Sequence, residues 1–393
     1  MSRPIVDDEQ PLALDLGAAP HLTGGDSFAQ ITWTMLAIAG MVGVTGIALF
    51  GLTAAAWLAI AVLAAVVGEW VYVRLTSRHV TATFAHAALM GLLVGLTLPV
   101  GRFEAGQFQP LGWVVPLSAG LIAVVVGKGL MGGMGNYLWH PALVGRAAVE
   151  LLYPERVHPT LWTVLGQDKL FAIIPKPIES LEYAGWRISE LPDAANAWAL
   201  RAPADSLRRC AEGGLGAGEH PLTVLVRDVL PPLEDALLGG VGGGIGETCA
   251  VVLIVGGLYL IYRGYVHWFQ PVGLILAAAV AAAILPIRTG PEASFEWLPG
   301  LETDGSLPVG VIYVLHHLTS GGLMLGAFLI ATDMVSSPRT ARGQVIFTAG
   351  IGVLTIVLRL YGPIPGSCYW AILIMNTLVG LIDRTTRRRV MGT

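Results

Sequence analysis

Long apolar stretches separated by short polar turns run through most of the chain. Windows near 31–52, 54–73, 82–99, 112–127, 138–152, 248–262, 269–287, 309–332, 344–360 and 367–382 are apolar enough to span or half-span a hydrocarbon layer. Several are shorter than the roughly 20 residues that a straight span needs, and glycines interrupt others. Such segments predict discontinuous helices that stop inside the membrane, where freed backbone must line a cavity or pack on protein. The expected fold is an all-α polytopic membrane protein of about ten transmembrane helices, some discontinuous. The polar interruptions divide it into an N-terminal tail (1–30), a first transmembrane half (31–152), a large loop (153–246), a second transmembrane half (247–383) and a basic tail (384–393).

Composition agrees. Of 393 residues, 54% are hydrophobic and 13% charged, roughly half the charged fraction of an average soluble protein. The net charge of −4 leaves no basic surface beyond the C-terminal run, which argues against a nucleic-acid partner. Three cysteines, Cys210, Cys249 and Cys368, fit no zinc or iron–sulfur spacing, and no metal site is expected. The first thirty residues are polar and acidic, without the pattern of a cleaved signal peptide.

Charge in the short loops sets an expected orientation. Arg74, Arg78, Lys128, Arg263, Arg339, Arg342 and the tail arginines fall on one side if the helices alternate, whereas loop 288–308 sets Arg288 against Glu292, Glu296, Glu302 and Asp304. The positive-inside rule then makes both termini cytoplasmic and sends loop 153–246 to the outer face. A loop of that size is more often functional or partner-binding than idle, and Trp186 and Trp198 are candidates for shaping a docking surface there or for anchoring at the interface.

An internal echo runs through the membrane part. A shift of 235 positions lays 88–99 over 323–334, with Gly91 on Gly326 and Thr97 on Thr332, and lays 143–145 over 378–380. Both matches pair helices five apart, which run in opposite directions. This is the pattern of an inverted repeat, whose interface commonly holds a site near the midplane.

Few polar residues could carry chemistry. Glu247 follows GGVGGGIG at the start of a helix, where the positive helix end favours its charge and glycines allow close backbone approach; the spacing equally allows a first-turn acid with solvent access. Asp333 closes an apolar run before Ser336, Ser337 and Pro338, either as a cation or polar-ring ligand or as a turn-forming helix end. Asn136 and His140 lie in GKGLMGGMGNYLWHPALVGR, which has the look of a broken helix. Arg146 and Glu150 are four apart and can pair on one face. Glu69 and Arg74, five apart, can do so only poorly. His316 and His317 point about 100° apart on a helix and are poorly placed to share a metal or haem.

The succession GNYLWHPALVGRAAVELLYP (135–154), GGIGETCAVVLIVGGLYLIYRGYVHW (243–268), SGGLMLGAFLIATDMVSSP (320–338) and LIDRTTRRRVMGT (381–393) resembles the RnfD/NqrB family. This family comprises the D subunit of the Rnf electron-transport complex and the B subunit of the sodium-pumping NADH:quinone oxidoreductase. The resemblance implies ten helices with a urea-transporter-like core, an outer-face flavin, and service beside other membrane subunits in a machine that couples electron transfer to Na⁺ or H⁺ movement. It also implies an outer-loop Ser-Gly-Ala-Thr type motif whose threonine receives FMN. Loop 153–246 contains no such tetrapeptide. In DAANAWAL (193–200), the nearest local match, Trp198 or Ala199 takes the threonine place, and neither has a hydroxyl. Smaller departures are His140, Gly244 and Met334, where the family usually has Asn, Ser and Pro.

Covalent FMN is therefore not expected, and a flavin (FMN or riboflavin) held non-covalently remains open. The functional expectation is a membrane subunit coupling electron transfer to ion translocation, with Glu247, Asp333, Asn136 and His140 as cavity residues and no catalytic residue assigned. The alternative is a redox-inactive transporter, channel or scaffold.

Overall fold

The computed structural model describes residues 27–76, 84–104, 107–157, 182–183, 186–187, 230, 233–239, 243–288, 295–296, 308–362 and 366–386. Most of loop 153–246, with Trp198 and Ala199, lies outside them. The described chain is mostly helical, and each apolar window of the sequence contains a helix.

Helix α1 (Phe28–Phe50) starts where Ser27 accepts a hydrogen bond from Gln30 N at 3.2 Å. It turns through Gly51 into α2 (Leu52–Thr76). Their 23 and 25 residues give lengths of about 35 Å, enough to cross a hydrocarbon core. Next come the short α3 (Phe84–Leu96), and α4 (Val114–Ile122), which continues as a π-helical turn at Ala123–Leu130. Pro141 at the first helical position opens α5 (Pro141–Leu152), followed by the single-turn α6 (Pro154–Val157) and a short α7 (Leu233–Leu238). The second half holds α8 (Ala250–Tyr262), α9 (Phe269–Ile284), α10 (Val309–Thr319), α11 (Leu323–Leu325, continuing as a π turn Gly326–Ile330), α12 (Ala341–Tyr361) and α13 (Ser367–Thr386).

Helices α1, α2 and α12 are individually long and apolar enough to cross a membrane, and α10 with α11 makes a fourth candidate, bent by 57° at the break. The rest are shorter apolar helices or fall outside that measure, consistent with the glycine interruptions seen in the sequence. Small residues let the helices approach closely: a Cβ on Gly91 would lie 2.7 Å from the Ala61 carbonyl oxygen, so α3 packs backbone to backbone on α2. The large side chains on the rim, among them Trp33, Val44, Leu63, Val255 and Leu276, are exposed, as lipid-facing residues of a membrane bundle are.

Two expectations change. The chain is not purely helical, because short antiparallel hairpins close some turns: Gly101–Glu104 with Gln107–Pro110, Glu182–Tyr183 with Trp186–Arg187, and Ile287–Arg288 with Phe295–Glu296. Backbone leaving a helix at a tight reversal finds its partners across the turn. Second, Glu69 does not turn to Arg74. Arg74 lies over the Trp70 ring at 5.2 Å, whereas Glu69 meets Lys128, from the π turn after α4, at 2.6 Å, both side chains buried. The partner one helix away is better placed than one five residues along the same helix. Arg146 and Glu150 do pair along α5, at 3.4 Å.

Candidate functional site

The two carboxylates singled out in the sequence lie in separate polar clusters, each at a place where a helix is interrupted. Glu247 precedes α8. The stretch before it docks as a turn on the end of α3: Ile245 N donates to Leu98 O at 2.9 Å and Gly246 N to Leu96 O at 2.8 Å. Carbonyls released where α3 stops are thereby satisfied, as backbone at membrane depth requires. This docking places the half-buried Glu247. Its Oε2 accepts from Gly244 N at 3.0 Å and its Oε1 from the Tyr369 hydroxyl at 2.6 Å. Glycines make room for it. A Cβ on Gly244 would lie 2.9 Å from Glu247 Cδ, and one on Gly322, a left-handed residue at φ 72°, would lie 3.2 Å from Glu247 Oε1.

Two buried arginines, Arg146 and Arg359, act electrostatically on Glu247. Arg146 sits 6.0 Å over the Tyr369 ring. Arg359, on α12, donates from Nη1 to His317 O at 2.6 Å and from Nη2 to Ser320 O at 3.1 Å. It therefore closes the C-terminal end of α10 where the bend to α11 leaves carbonyls without helical partners. With Glu150, the cluster has two formal positive and two formal negative charges, which is how such groups are tolerated away from water.

Asp333 follows α11. Its Oδ1 accepts from the Tyr137 hydroxyl at 3.1 Å, and its Oδ2 from Ser336 N at 3.0 Å and Ser336 Oγ at 2.9 Å. Two buried histidines face the same place. His140, just before α5, and His86, on α3, both feel the Asp333 charge, and the His86 ring lies 6.2 Å from that of Tyr137. Lys128, held by Glu69, also acts on His86. The Asn376 amide, turned to satisfy both neighbours, accepts from His140 N at 3.1 Å and donates to Ser336 O at 3.2 Å, tying α13 to this cluster. Beside it lies a cavity of about 630 Å³ whose walls include Gly135, Leu138, Met334, Val335, Ser337 and Asp383.

Of the four cavity residues read from the sequence, His140 and Asp333 share one cluster and Glu247 belongs to the other. Asn136 is exposed, and its Nδ2 reaches back to Gly132 O at 3.5 Å; its neighbour Tyr137 is the residue that reaches Asp333. Sequence reasoning passed over Tyr137, Tyr369, His86 and Arg359. Arg359 carried a usable signal, a lone arginine in the apolar run GVLTIVLRLYG; the tyrosines carried none, since their partners are 196 and 122 positions away. The segment that stands nearest to an FMN attachment site in the sequence, 193–200, has no hydroxyl side chain, so it does not fit a phosphoester-linked flavin.

Comparison with known proteins adds the lineage. The D subunit of a proton-translocating ferredoxin:NAD⁺ oxidoreductase complex from Clostridium ljungdahlii is 30% identical over 380 residues, 96% of each chain. The D subunit of a Na⁺-translocating ferredoxin:NAD⁺ oxidoreductase complex from Acetobacterium woodii is 30% identical over 388 residues, 97% of this chain and 96% of that one. The corresponding D subunit of an ion-translocating oxidoreductase complex from Stutzerimonas stutzeri is 32% identical over 309 residues, 78% of this chain and 75% of that one. The model of the NQR2, RnfD, RnfE family matches residues 16–392, nearly the whole length, and the chain belongs to that family.

Proposed function

We propose that this chain is the membrane subunit of an RnfD-type complex that couples electron transfer to the movement of Na⁺ or H⁺ across the bacterial inner membrane, and that it does so without covalently attached FMN. The observation that carries the reading is the collinear match, over 96–97% of the chain, to D subunits of ion-translocating oxidoreductases. The architecture supports it: one carboxylate lies where the turn before α8 docks on the end of α3, the other follows the broken α10–α11 pair, and each is held by a tyrosine from a distant part of the chain. Discontinuous helices of this kind are how membrane transporters place polar groups and open backbone at depth.

In this reading the chain has ten spans in two inverted halves around a urea-transporter-like core, with loop 153–246 outside and both termini in the cytoplasm. Asp333 then serves the cytoplasmic entrance and Glu247 the outer one. Electrons pass through partner subunits, or through a flavin held here non-covalently.

The test is the colour of the purified chain. Acid precipitation should leave the pellet without flavin; flavin fluorescence in the washed pellet would overturn the non-covalent reading. A flavin released to the supernatant supports a redox role in this subunit, and a colourless preparation favours an ion-conducting or scaffolding role beside redox partners. Co-purification through a tag on this chain should bring down membrane subunits of a redox complex, and isolation of the chain alone from native membranes would count against the assignment.

A further inference from the structure

We infer that the cluster around Asp333 is a proton-loading site, so that the ion taken up at this end of the protein is H⁺ and not Na⁺. The inference rests on the ion-coupling reading above and deepens it. A hard cation is held by a shell of oxygen lone pairs turned toward it. Around Asp333 the geometry is the reverse. Three donors, the Tyr137 hydroxyl and the Ser336 N–H and hydroxyl, already point at the two carboxylate oxygens. The remaining neighbours include two buried imidazoles, His86 and His140, with exposures of 3% and 1%, and the Lys128 ammonium, which acts on His86. Both histidines keep an Nδ1 atom without a hydrogen-bond partner among the described residues. A buried ring nitrogen with no partner is costly in a purely structural role, and it is what a proton acceptor needs.

The groups facing these rings come from every packed element: Lys128 from the π turn after α4 with its partner Glu69 on α2, Tyr137 from the turn before α5, and Asp333 after α11. The carboxylate balances the imidazolium that forms, and Lys128 disfavours a second positive charge, so the cluster is suited to hold about one proton at a time. A cavity of about 630 Å³ has in its walls Leu138 and Met334, the chain neighbours of Tyr137 and Asp333, together with the polar and charged Ser337, Arg339, Asp383 and Arg384. In the step itself a hydronium that reaches the cluster gives its proton to a histidine Nδ1: an O–H bond breaks, an N–H bond forms and water is left.

The test uses the complex purified through this chain and sealed in liposomes, driven by reduced ferredoxin, with an internal pH dye and ²²Na⁺ as the two probes. Acidification of the lumen should be the same in sodium and in choline buffer, with no ²²Na⁺ taken up. His86→Gln and His140→Gln should each lower protons moved per electron by roughly tenfold or more, whereas His267→Gln, at an exposed position outside the cluster, should not change the ratio. Sodium-dependent transport with ²²Na⁺ accumulation overturns the inference and leaves the coupling reading standing. Electron flow with neither ion moving overturns the coupling reading itself. The buffer comparison uses the unaltered protein, so a variant that fails to fold does not decide the result.

Discussion

The Tyr369 hydroxyl donates to Glu247 Oε1 at 2.6 Å, joining the turn before α8 to the first turns of α13 across 122 residues. The bond closes one end of the helical core on a carboxylate that two buried arginines also face. Glu247→Gln keeps the shape of the side chain and removes its charge. Ion movement per electron should fall while the complex still assembles, and unchanged coupling in sealed vesicles with normal yield would refute a role for this acid in translocation.

Tyr369→Phe asks a different question at the same place. Removing the hydroxyl leaves Glu247 Oε1 without its donor in a protein environment, at a cost of about 1–3 kcal/mol. The detergent-solubilised chain should melt several degrees lower. If its midpoint does not move, the bond is not part of the stabilising framework.

Arg359 should be among the least replaceable residues of α12. Its two nitrogens satisfy the His317 and Ser320 carbonyls at the α10–α11 break. Lysine offers a single ammonium in place of the planar fork, so Arg359→Lys should be destabilising and Arg359→Met more so, by about 3–5 kcal/mol where a buried charge network is broken. Folded yield and thermal midpoint in detergent measure both. Wild-type behaviour of Arg359→Lys would mean that charge, not carbonyl capping, is what the position contributes.

The Glu69–Lys128 pair lends itself to a double-mutant cycle. Lys128→Met alone strands a buried carboxylate and should cost about 3–5 kcal/mol, whereas Glu69→Leu with Lys128→Met should be close to neutral. Thermal denaturation of the four proteins gives the coupling, and additive losses would show that the two side chains do not depend on each other.

Gly322→Ala should be poorly tolerated for two separate reasons. Its φ of 72° is unfavourable to any residue with a Cβ, and that Cβ would meet both the Tyr369 hydroxyl and Glu247 Oε1. A lower yield rescued in part by Tyr369→Phe would identify the side-chain clash; no rescue would leave the backbone conformation as the cause.

The amino-acid sequence by itself determined what is local. Apolar runs set where helices form, glycines mark where some of them break and Pro141 where α5 begins, and Arg146 and Glu150 pair because four residues bring two side chains onto one helical face. Membrane character needed nothing beyond composition, because lipid rejects charge wherever it occurs along the chain. The tertiary structure decided which polar groups meet. Glu69 took Lys128 over Arg74, Asp333 took Tyr137 while Asn136 stayed at the surface, and Glu247 took Tyr369. Helical periodicity relates neighbours within a few turns, but it is silent on which face of a distant helix packs opposite. In a bundle of interrupted helices, the breaks must be satisfied from elsewhere in the chain, and it is at those breaks that the two polar clusters lie.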